Sequence, residues 1–233
     1  MTYQIDPSPD RGTPPPRRRE PIFNRMPVGV ALLIGLILVC HLATLLLSDQ
    51  SLQNLESQAG VTPASILSDL QNGRFLAALA ALVASQFLHG GTLHLVMNLA
   101  MLLQSGPIAE LGLSRHRHEA IRFILFFLVC GVFGGLTYCW INPDSQITAI
   151  GASGAISGVF AGFLWAAIGL AKPGQAMLKP VLTSGAVFLL INVGLAWVGR
   201  VTNFLPIAWE CHLGGFAAGL IFYPLFVRLG RVR

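Results

Sequence analysis

Charge is what this sequence is shortest of. Only 11% of its 233 residues are Asp, Glu, Lys or Arg, against about a quarter in an average soluble domain. With 54% hydrophobic residues, that shortage excludes an ordinary water-soluble domain and points to a chain that lives in a bilayer. Acid is scarcer than base, at 10 residues against 15, and no Asp or Glu falls between residues 145 and 209. A transporter or channel path lined by buried carboxylates is therefore not indicated, and no internal repeat supports one. Cysteine is scarce as well. Cys40, Cys130, Cys139 and Cys211 are scattered through apolar segments without C-x-x-C spacing, so neither a zinc site nor a disulfide framework is expected. They read as small buried hydrophobes. The net charge of +5 would suggest a nucleic-acid partner in a soluble protein. Here the placement of the charges matters more than their sum, and no nucleic acid is expected.

What is present is length of apolar sequence. Six runs approach the ~20 residues a spanning helix needs: roughly residues 28–47, 93–113, 120–141, 150–171, 177–199 and 207–229. The expected fold is an all-α membrane protein, a six-helix bundle with both termini cytoplasmic. Its orientation follows from the basic residues. With six spans, all of the 15 Lys and Arg except Arg74 and Arg200 fall on one side, in the leader, the "SRHRHEAIR" and "KPGQAMLK" loops and the tail. That side is the cytoplasm by the positive-inside rule.

Residues 1–26 form a Pro- and Arg-rich leader, "PSPDRGTPPPRRREP" at its centre, expected to be disordered. Residues 27–233 form the membrane domain. The first apolar run is too long for a cleaved signal peptide and no small-x-small site follows it. The leader contains Asp6 and Asp10 and many prolines, which does not fit a mitochondrial presequence, so a bacterial plasma (inner) membrane is the simplest setting. Residues 48–92 make a long outer loop. Within it the apolar stretch 74–88 is short for a span, and the region 74–91 reads as an interfacial hairpin. Thr62-Pro63 reads as a helix start and Gly73 as a stop.

Against this background, polar groups inside the spans stand out: His94, Asn98, Ser153, Ser157, Asn192 and His212, with His41 in the first span and His89 at the interface. Unpaired, such groups are costly in lipid, so they mark function by default. A lone pair of them more often serves as helix–helix glue. Here, however, His94, Asn98, Ser153 and His212 all fall at similar depth near the outer face. His94 and Asn98 are four residues apart and share a helix face. Gly154, Gly158 and Gly162 recur every four residues on one span, Gly215 and Gly219 on another. Rows of this kind let two backbones approach closely. If these rows pack, Ser153 and His212 are brought together.

A serine hydroxyl becomes a nucleophile when an adjacent base takes its proton, and neutral imidazole is the usual base. Glu210 lies two residues from His212, about 200° round a helix, and should point away. The residues therefore favour a Ser–His dyad over a triad. His94, Asn98 and the backbone N–H of Ser153 could stabilise an oxyanion. The soluble hydrolase elbow G-x-S-x-G is broken, because Ala155 stands at its fifth position.

"GASGAISG", with "HGGTLHLVMN" before it and "ECHLGGFAAG" after it, resembles the rhomboid family of intramembrane serine proteases, from about residue 88 to 229. The resemblance implies Ser153 as nucleophile, His212 as general base, and His94 and Asn98 assisting the oxyanion. It implies supporting places for His89, Gly151 and Gly154. Glu110 matches an acidic residue near the inner end of the second span. The activity implied is cleavage of transmembrane protein substrates near the outer membrane face, with the lipid bilayer as the other partner and no metal or cofactor. A catalytically inactive, membrane-protein-binding relative is the alternative. Two features depart from the family's pattern. Ala80-Ala81 stand where Trp-Arg is often found, and Ser157 stands where an aromatic residue often packs against the imidazole.

Overall fold

The computed structural model describes residues 26–113, 118–171, 178–202 and 208–229. Residues 1–25 of the expected basic leader lie outside the described residues. So do 114–117, 172–177 and 230–233, and with them many of the basic residues on which the expected orientation rests.

The described residues are almost wholly helical: α1 Val28–Thr44, α2 Asp49–Ala59, α3 Pro63–Gln71, α4 Phe75–Ala84, α5 Thr92–Leu113, α6 Glu119–Ile141, α7 Ser153–Ala171, α8 Leu178–Thr202 and α9 Trp209–Leu229. A single 3₁₀ turn, Ser85–Phe87, follows α4. By length and composition, α6, α8 and α9 can each cross a membrane. The Phe75–Phe87 stretch and α5 would make a fourth if taken together, but they meet at a 90° bend. α1 and the Ser153–Gly169 part of α7 are apolar but shorter. Large apolar side chains are exposed along α1 and α8, among them Leu32, Val39, Leu190 and Trp197. A soluble monomer rarely shows so extensive an apolar face, whereas lipid tails would cover it.

At the centre, α7 packs against α5, α6 and α9, and α9 also packs on α6. Phe123, Phe126 and Phe127 of α6 are fully buried there with Val159 of α7. Toward the C-terminal ends of α5 and α9, the Tyr223 hydroxyl of α9 donates to the Ala109 carbonyl of α5 at 2.8 Å. Gly112 and Gly162 make room for that ring: a Cβ on either would meet it.

α1 is capped from another helix. Pro27 at its start supplies no side-chain acceptor. Instead the buried Glu110 carboxylate of α5 accepts from the Gly29 N–H at 2.9 Å and the Val30 N–H at 2.8 Å. These first-turn donors have no intrahelical partner, and the negative charge suits the positive end of the helix.

The segment between α1 and α5 holds three helices, α2, α3 and α4. The stretch 74–91, expected as an interfacial hairpin, takes in α4, the 3₁₀ turn and the 90° bend before α5, and α3 and α4 pack on each other as a helical hairpin. Its turn is Gly73, at φ +72°, a conformation glycine adopts without steric cost. Thr62 does stand at the N-cap of α3 with Pro63 in the first turn, but its hydroxyl bonds to Thr148 at 2.7 Å instead of capping.

Candidate active site

Ser153 is the first residue of α7, three residues later than the hydropathy of the run suggested. The delay has a cause at Gly151, whose φ of +128° is incompatible with helix. Space is equally tight there, since a Cβ on Gly151 would lie 2.6 Å from Cε1 of His94. The His94 ring of α5 therefore rests on the backbone two residues before Ser153. At the head of a helix the Ser153 N–H has no intrahelical acceptor, and it lies at the positive end of the helix dipole.

Four ties hold the loop that leads to Ser153. Val61 and Ala149 form an antiparallel bridge, each N–H donating to the other's carbonyl at 2.9 Å. The Tyr138 hydroxyl donates to the Ile147 carbonyl at 3.0 Å. Thr148 meets Thr62 through their hydroxyls. Finally the Gly151 N–H donates to the Ser85 carbonyl at 2.9 Å. The segment between α1 and α5 thus fixes the entry to α7, a link between residues some 86 positions apart that periodicity could not reveal.

The two glycine rows face each other. A Cβ on Gly215 would run into the Gly154 carbonyl, and one on Gly219 into the Gly158 carbonyl. A Cβ on Gly154 would lie 3.2 Å from the Cys211 carbonyl. Ser153 and His212, the neighbours of Gly154 and Cys211, therefore stand at one level of the α7–α9 seam. Gly162 leaves the pattern and packs against Tyr223, because no third glycine on α9 answers it.

Around this pair the remaining expected residues are distributed as follows. Asn98 is buried one turn along α5, its amide donating to the His94 carbonyl at 2.9 Å. His89 is buried with its ring 5.2 Å from that of His94, and neither of its ring nitrogens has a hydrogen-bond partner among the described residues. Glu210 turns away from His212 and accepts from the Asn142 amide at 3.2 Å. Ser157 is buried and its hydroxyl donates back to the Ser153 carbonyl at 2.9 Å, so it is satisfied within its own helix.

The partner of the imidazole comes from α8. His212 Nδ1 and Asn192 Oδ1 are 2.8 Å apart. Asn192 was conspicuous in the sequence as an amide inside an apolar run, but nothing there indicated which face of α8 meets α9.

The matched family model carries the description Rhomboid domain and covers residues 77–229. The chain belongs to the rhomboid family. Its helices are thus those of a rhomboid membrane bundle, and the protein is an integral membrane protein. The match runs from within α4 to the end of α9 and takes in every residue of the candidate site; α1 to α3 precede it. Among similar proteins, RHOMBOID-like protein 4 of Arabidopsis thaliana is 32% identical over 63% of this chain and 34% of its own length. RHOMBOID-like protein 5 of the same plant is 26% identical over 64% of this chain and 44% of its own. Rhomboid-like protease 5 of Toxoplasma gondii is 29% identical over 60% of this chain and 15% of its own. The chain spans less than half the length of each of these relatives.

Proposed function

We propose that this rhomboid-family protein is an intramembrane serine endopeptidase that cleaves transmembrane proteins near the outer membrane face. The observation that carries the reading is the level shared by Ser153 and His212 across the glycine seam, with His94 laid over the backbone just before the serine. His212 takes the Ser153 proton as Oγ attacks a substrate carbonyl. The oxyanion is met by the Ser153 N–H with His94 and Asn98. The imidazolium then protonates the leaving amine, and an acyl-enzyme remains on Ser153. Water, deprotonated by His212, releases the acid and restores the serine.

The proposed setting is a bundle of six spans with both termini cytoplasmic. This requires α1 and α7 to cross despite their shortness. Substrates are transmembrane proteins, and the chemistry needs no metal or cofactor. The bacterial plasma membrane expected from the leader gains no support from relatives of a plant and of Toxoplasma gondii.

The deciding experiment reconstitutes the protein in liposomes with a panel of single-span proteins. Wild type is expected to cleave members of the panel and to react with a serine-directed fluorophosphonate. Ser153→Ala and His212→Ala should each lower cleavage about 10³-fold or more. Wild type inert to both the probe and the whole panel would leave a rhomboid-like protein that binds membrane proteins without cutting them.

A further inference from the structure

A base in a serine dyad still needs something to fix which ring nitrogen carries its proton and where the ring points. Two nearby polar side chains are committed elsewhere. The Ser157 hydroxyl is bonded to the Ser153 carbonyl, and Glu210 to Asn142. The polar side chain that meets the ring is Asn192.

Its orientation is determined by its other bond. Asn192 Nδ2 lies 2.9 Å from the Phe188 carbonyl oxygen, which can only accept, so the amide nitrogen must be on that side. Oδ1 then faces His212 at 2.8 Å. An amide oxygen can only accept, so Nδ1 of His212 is the protonated nitrogen. Nε2 is left with a free lone pair, the state a general base requires.

Aromatic packing keeps this arrangement in register. The Phe188 ring is stacked on Phe160 of α7, with centroids 4.5 Å apart, and on Phe216 of α9, at 5.2 Å. Phe216 is one turn along α9 from His212, and Gly185 of α8 lets that ring approach, since a Cβ there would lie 2.6 Å from it. The carbonyl that orients Asn192 thus belongs to a residue clamped between the two helices that carry Ser153 and His212. The aromatic support missing at position 157 is found one turn deeper and acts through an amide.

We propose that Asn192 is the positioning residue of His212, fixing its Nδ1–H tautomer so that Nε2 is presented as the base. This rests on the peptidase reading of Ser153 and His212. The first test does not depend on activity. In 15N-histidine-labelled protein, with His212 assigned by comparison with His212→Ala, the neutral ring should carry its proton on Nδ1. A ring protonated on Nε2 overturns the proposal. In the second test, Asn192→Leu should lower kcat roughly 10²-fold, the cost of a misplaced catalytic group, with KM little changed. Asn192→Asp keeps an acceptor in place and should restore most of that loss. An Asn192→Leu variant with wild-type kcat, or a folded Asn192→Asp variant as impaired as Leu, overturns it. If Asn192→Leu loses its cooperative thermal transition, the tautomer of the wild type and the Asp variant decide. Wild type without cleavage sinks the peptidase reading instead, and leaves the tautomer result standing.

Discussion

Gly151 answers two demands that no other residue meets together. Its φ of +128° is one that side chains rarely adopt, and a Cβ would press into the His94 ring. Strain of this kind costs about 1–3 kcal/mol, and displacing His94 disturbs the proposed oxyanion site besides. Gly151→Ala is expected to lower the thermal midpoint and to slow fluorophosphonate labelling of Ser153 by more than the lost stability explains. Labelling at the wild-type rate would separate His94 from the reactive centre. At this scale much was legible, for a physical reason. Ser153, His94, Asn98 and His212 are conspicuous because hydrogen-bonding side chains are few in an apolar chain. Partners are another matter. That Ser157 would spend its hydroxyl on its own helix, and Asn192 its amide on His212, depends on side-chain rotation and helix facing, which a linear pattern does not encode.

Helices were readable from hydropathy, their ends less so. Loop 45–47 stops α1 short of the expected 47, and Gly151 delays α7. The Glu110 cap on α1 joins residues 80 and 81 apart, so only the residue, not its partner, could be picked out. The glycine rows were different. Their period of four residues named the faces that would meet, and α7 and α9 do meet along them. Glycine therefore has opposite values on different helices. Gly219→Ala would drive a methyl into the Gly158 carbonyl, forcing the helices apart at a cost of about 1–3 kcal/mol. Gly35 of α1 has nothing within 4 Å of a Cβ, and alanine there should be neutral or stabilise by about 0.4–1 kcal/mol. Thermal denaturation of the two variants in one detergent checks this. Gly219→Ala with the same neutral or stabilising effect as the Gly35 variant would mean that close packing at the seam adds nothing beyond helix propensity.

For the whole molecule the decisive length is that of α7. The apolar stretch Ser153–Gly169 rises roughly 25 Å at 1.5 Å per residue, against about 30 Å of hydrocarbon. With its inner end at the cytoplasmic boundary, as the six-span reading has it, Ser153 sits about 5 Å below the outer one, close to a single helical turn. Under the proposed peptidase activity, a substrate helix keeps its carbonyls in i→i−4 bonds and must unwind before Ser153 can reach one. Both requirements are met together only in the outermost turn of the substrate's span, where helix is weakest and depth matches the serine. A Gly-Pro pair in that turn of an otherwise Leu-rich single-span protein should therefore make it a substrate, since both residues disfavour helix. The same pair moved two turns deeper loosens the helix equally but lies about 11 Å further in, out of reach. Cleavage sites mapped by mass spectrometry should stay within the outer turn. Equal cleavage of the deeper variant at its own Gly-Pro would show that unwinding alone selects the bond, and would remove depth from the account.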